Sequence, residues 1–173
     1  MIVKKLAAIV VTFLIFASSN LYGQGQGCTG NPHFNDFDFW IGDWEVRNNA
    51  NNNEAGKNTI EKLLNNCLVM ENWQGAKGSV GKSINYFNPL TDKWRQVWVA
   101  PGNVIDIEGG LVQGSMVLVG SIDYFNDKKY QFRGTWTPSN DGSVRQFFEQ
   151  YDADEKIWKP WFDGKYIPVQ AHN

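Results

Sequence analysis

The sequence predicts an all-β protein: a single antiparallel up-and-down β-barrel of about ten strands, with a short helical turn before it. Three observations carry this. From Gly42 onward, short runs alternate bulky and polar residues, each run ends in turn-forming residues, and no segment after the amino-terminal region has a helix of useful length. Ten successive hairpin strands leave two exposed edges unless the sheet closes on itself, and closure removes both.

Taken in order, Pro32 to Phe39 reads as one short helical turn ahead of Trp40, and the aromatic run Phe37-Asp38-Phe39-Trp40-Ile41-Gly42-Asp43-Trp44 launches the first strand. The predicted strands are Trp44 to Asn48, Thr59 to Leu64, Leu68 to Gln74, Lys82 to Asn88, Trp94 to Ala100, Val104 to Leu111, Ser115 to Tyr124, Tyr130 to Thr137, Ser143 to Asp152 and Ile157 to Tyr166. Between them Asn88-Pro89-Leu90-Thr91-Asp92, Pro101-Gly102-Asn103, Pro138-Ser139-Asn140-Asp141-Gly142 and Asp152-Ala153-Asp154-Glu155 supply residues that preset or tolerate turn dihedrals. The Asn-rich stretch from Asn48 to Gly56 reads as a polar loop. Side-chain alternation puts Trp94, Gln96 and Trp98 on one face and Phe132, Gly134 and Trp136 on another, so the interior is aromatic with scattered polar groups.

The chain divides into a signal peptide over 1–23 and one barrel domain over 24–173. Lys4 and Lys5 precede an apolar run from Leu6 to Phe16, too short to span a bilayer, followed by small and polar residues. This predicts export, periplasmic or secreted, with no membrane span. Setting Lys4 and Lys5 aside takes the balance from 16 basic and 18 acidic residues to 14 and 18, a net charge of −4. That balance offers nucleic acid no electrostatic footprint. In an oxidising compartment Cys28 and Cys67 are expected to pair, tying the lead to the sheet; a loop of about 40 residues closed this way is worth on the order of 4 kcal/mol.

The same Gly42-Asp43-Trp44 entry into an up-and-down meander resembles the lipocalin and calycin superfamily. Together with Cys67-Leu68-Val69-Met70-Glu71-Asn72-Trp73, Gly81-Lys82-Ser83, Trp94-Arg95-Gln96-Val97-Trp98-Val99, Gly114-Ser115-Met116-Val117-Leu118 and Gly142-Ser143-Val144-Arg145-Gln146, it more closely resembles a family of exported bacterial lipocalin-like barrels over nearly the whole mature chain. The resemblance implies the fold and no particular activity. It also implies a barrel floor at Trp40 and Trp44 closed by a cation over Trp44, for which Lys165 and Arg145 are the candidates.

Glu71 shares a strand face with Val69 and Trp73, a carboxylate among aromatics that must be paired, hydrogen-bonded or shifted in pKa if it points inward. Arg145 is its expected partner. Three readings stand: a fixed internal ion pair, a polar anchor for a ligand head group, or an acid/base pair that does chemistry. The expected ligand site comprises Glu71, Trp73, Ser83, Gln96, Trp98, Trp136 and Arg145; plain barrel packing is the alternative for each, since eight tryptophans also fill space. Ala76 to Ser83 fits a permissive phosphate-loop pattern, but Ile84 to Pro89 continues as a strand where that chemistry needs a helix. His33 and His172 lie outside the strands, so no metal and no cofactor is expected. The predicted function is binding of a small apolar or amphipathic molecule by a monomer or weak dimer. The alternatives are an isomerase or hydrolase using Glu71, and a filled barrel acting through its outer surface.

Overall fold

The computed structural model describes residues 28–169; the expected signal peptide and His172 lie outside them. Ten strands follow one another: β1 (Gly42–Asn48), β2 (Glu54–Leu63), β3 (Leu68–Gly75), β4 (Val80–Asn88), β5 (Lys93–Ala100), β6 (Asn103–Val112), β7 (Ser115–Tyr124), β8 (Lys128–Pro138), β9 (Val144–Asp152) and β10 (Ile157–Pro168). Each pairs antiparallel with the next and β10 returns to β1, giving a closed up-and-down barrel. Two 3-10 turns, Pro32–Asn35 and Asp38–Trp40, precede it.

Turn chemistry sets the hairpins. Pro101 and Gly102 form the two-residue link between β5 and β6, with Gly102 at φ 108°, the conformation a Pro-Gly type II turn demands. Gln113 and Gly114 link β6 to β7 with φ of 51° and 84°, both positive as a type I′ turn requires. The second strand begins at Glu54, well before the predicted Thr59. The Asn-rich loop is tighter than its composition suggests because Asn48 Oδ1 accepts the backbone N–H of Ala50 and Asn51, and Asn51 Oδ1 accepts that of Asn53.

The lead from Cys28 to Ile41 lies across the end where β1 starts and β10 finishes. Phe37 stacks on Trp40 at 5.0 Å and meets Trp94 and Trp136 edge-on at 5.6 and 5.2 Å. Trp44 donates from Nε1 to the Trp40 carbonyl at 3.0 Å, and Trp94 does the same to His33. A disulfide joins Cys28 to Cys67, and Lys62 bonds Asp38 and Asn35 from the neighbouring strand. Phe37, Trp40 and Trp136 are fully buried, so this half of the interior is packed solid. Burying three such side chains contributes roughly 1.5–3 kcal/mol each at least.

Neither candidate cation, Lys165 or Arg145, lies over Trp44. Tyr166 takes that place, its ring 6.0 Å from that of Trp44 and 6.2 Å from that of Trp40. Alternation explains the correction: Tyr166 faces inward, so Lys165 faces out, where it reaches Asp141 at 3.3 Å. Arg145 sits directly across from Lys165 on β9 and therefore faces out as well.

Candidate functional site

The opposite end is open. A cavity of about 620 Å³ enters the barrel between the hairpin tips. Its walls are Trp73 from β3, Trp98 from β5, Phe148 from β9, and Trp161 and Phe162 from β10. Trp73 and Phe162 meet edge-on at 5.9 Å. Glu71, Gln146 and Tyr166 form the inner end.

Two local devices shape this wall. Gly81 leaves room for the Trp98 ring: a β-carbon there would lie 2.1 Å from a ring atom. The β9–β10 register shifts between Pro160 and Phe162, an irregularity that lets consecutive residues Trp161 and Phe162 both line the mouth. Pro160 within a strand is the sequence sign of such a bulge.

Beneath the aromatic walls runs a chain of buried polar side chains. Gln96 Nε2 donates to Asn85 Oδ1 at 2.8 Å, Asn85 Nδ2 donates to Ser83 Oγ at 2.9 Å, and Ser83 donates to Glu71 Oε2 at 2.6 Å. From the other side Asn58 Nδ2 donates to Glu71 Oε1 at 2.7 Å and to the Tyr166 hydroxyl at 3.1 Å, while Tyr166 donates to Gln146 Oε1. Glu71 is 2% exposed, and burial raises its carboxyl from 4.5 to about 7 against the opposing pull of Ser83 and Asn58. Burial and the nearby Glu71 carboxylate together push the Tyr166 hydroxyl well above its usual range.

The structure separates the predicted site residues. Glu71, Trp73 and Trp98 line the cavity, and Ser83 touches it through Glu71. Gln96 lies deeper, bonded to Asn85, and Trp136 belongs to the plugged half. Arg145 is not Glu71's partner. It forms a two-pronged ion pair with Asp163 on the outer surface, at 2.8 Å for each bond, with its guanidinium over the Phe147 ring. Asn58, Gln146, Phe148, Trp161, Phe162 and Tyr166 are site residues the sequence reading omitted. Phe162 and Tyr166 share an inward parity that alternation alone reveals; Asn58 becomes visible only through the pairing of β2 with β3.

Seven buried side-chain polar atoms among the described residues have no hydrogen-bond partner, from Trp98 Nε1 and Asn103 Oδ1 on residues that line the cavity to Trp40 Nε1 and Trp136 Nε1 in the plugged half. Among the described residues no cluster of His, Cys, Asp and Glu could hold a metal ion, and no helix is long and apolar enough to cross a membrane. No protein-family model matches this chain, and no curated protein matches it. The ten-strand closed barrel is compatible with a lipocalin-like fold on its geometry alone.

Proposed function

We propose that this is an exported lipocalin-like protein that binds one small, partly apolar molecule in the mouth of its barrel. The observation that carries the reading is the cavity of about 620 Å³, aromatic on its walls and polar at its inner end. Its size falls within the roughly 300–1,000 Å³ typical of small-molecule sites, and a few convergent polar groups on an apolar lining are what such sites use to orient a ligand. The Cys28–Cys67 bridge supports export, because such bonds persist in oxidising compartments.

Native mass spectrometry of protein isolated from its own host tests this. The expected spectrum carries a small-molecule adduct that is lost when Trp98 is replaced by Ala. A spectrum without an adduct, in a protein whose mouth tryptophans respond to no added small molecule, overturns the reading.

One observation favours a second reading, an enzyme. A carboxyl near 7 at the end of a cavity is matched to proton transfer at neutral pH. On that reading Glu71 removes or returns a proton on a bound molecule, and Glu71→Gln abolishes turnover of the adduct while leaving the β-sheet circular dichroism intact.

A further inference from the structure

Building on the binding reading, we infer that the molecule held in this mouth is an organic cation, an ammonium or amidinium on an apolar frame, with Glu71 as its counter-ion.

The polarity of the hydrogen bonds points there first. Asn85 Nδ2 donates to the Val69 carbonyl at 3.1 Å, and a carbonyl oxygen can only accept, so the amide orientation is fixed. The same NH2 group therefore donates to Ser83 Oγ, and Gln96 Nε2 adds a longer bond to that oxygen at 3.4 Å. With Ser83 Oγ already accepting, its single proton goes to Glu71. Asn58 supplies the other donor. Both carboxyl oxygens thus receive hydrogen bonds, the pattern that suits an ionised carboxylate.

Yet the described residues provide no positive charge to balance it. Among the described residues no Lys, Arg or His bonds Glu71. The strands packed around it present Asn58 from β2, Ser83 from β4, Gln146 from β9 and Tyr166 from β10, of which only Tyr166 titrates. The other charged groups lining the cavity are Glu54 and Lys77, both exposed near the hairpin tips. A buried carboxylate that is hydrogen-bonded but has no counter-ion is incomplete, and a cation entering from the mouth would complete it.

The walls favour the same class. Trp73, Trp98, Phe148, Trp161 and Phe162 surround the approach to Glu71, and aromatic faces attract desolvated cations, tryptophan most of all. An anion would meet Glu71 head-on. A neutral molecule would leave the charge of Glu71 unbalanced or require it to take up a proton.

Isothermal titration calorimetry on the full chain decides the matter with three probes of one shape: tryptamine, the uncharged alcohol tryptophol, and the anion indole-3-acetate. At pH 8 tryptamine is expected to bind at least about tenfold tighter than tryptophol, with indole-3-acetate weakest. At pH 5.5, where Glu71 is protonated before binding, the tryptamine advantage is expected to shrink by about tenfold or more. Glu71→Gln should lower tryptamine affinity at least about tenfold more than tryptophol affinity. If tryptophol or indole-3-acetate binds as well as tryptamine, or the preference ignores pH, the cation assignment fails and the binding reading stands. If none of the three binds, both fail. The pH comparison uses the unaltered protein, so it decides even if Glu71→Gln does not fold.

Discussion

At Glu71 the unfolded chain holds a carboxyl near 4.5 and the folded barrel one near 7. The folded state therefore binds more protons between those values, and stability falls as pH rises across that window before levelling off above it. The decline from this one group is on the order of 3 kcal/mol. Asp141 acts in the opposite sense at lower pH: the Ser143 side chain holds it at about 2, so its contribution is present above the usual carboxylate range and is lost as pH falls toward 2. Urea denaturation as a function of pH should accordingly show greatest stability near the lower edge of the Glu71 window. Ser83→Ala removes a donor to the carboxylate, so the decline should continue past pH 7 and the variant should be less stable by about 1–3 kcal/mol, more at pH 8 than at pH 5. Equal destabilisation at both pH values would refute this account of Ser83. How far these residues were legible follows from what alternation encodes. It groups Glu71 with Val69 and Trp73 correctly, but on β9 it offers Arg145, Phe147, Glu149 and Tyr151 or Gln146, Phe148 and Gln150, two faces of similar bulk. Pairing with β10 chooses between them, and a slip of one residue reverses the choice.

Among the elements, the β3–β4 hairpin shows how backbone space becomes binding space. Gly81 stands where Trp98 needs to lie, while Gly110 on β6 has nothing within 4 Å of where its β-carbon would be. Gly81→Ala should leave the sheet intact, displace the Trp98 ring into the cavity, and weaken binding of any probe seated there by about tenfold or more. Gly110→Ala serves as the matched control and should change neither. Circular dichroism and tryptophan emission read the two effects separately; unchanged emission and binding in Gly81→Ala would show that the ring is not held as described. All ten strands were readable because their boundaries carry residues with turn chemistry, as at Pro101-Gly102. The early start of β2 was not, since asparagine composition marks a loop without saying that its side chains cap it into a few residues.

For the whole molecule, packing divides function from fastening. The plugged half holds Phe37, Trp40 and Trp136 together with the bridge from Cys28 to Cys67, and the cavity lies at the other end. Reducing the bridge should lower stability by on the order of 3–4 kcal/mol while leaving probe affinity at the mouth unchanged. Hydrogen exchange should quicken in the lead and around Asn65, whose carbonyl accepts the Cys28 N–H, and not in the β5–β6 hairpin. Exchange quickening equally at both ends would mean that the two halves unfold together. Strand number has one more consequence. Ten is even, so the last strand finishes at the rim where the first began, with Pro168 paired to Trp44 and the Val169 N–H bonded to the Asp43 carbonyl. A resin or fluorophore coupled beside Asp43 or Val169 faces away from the cavity, so the immobilised barrel presents its opening to the solution from either position.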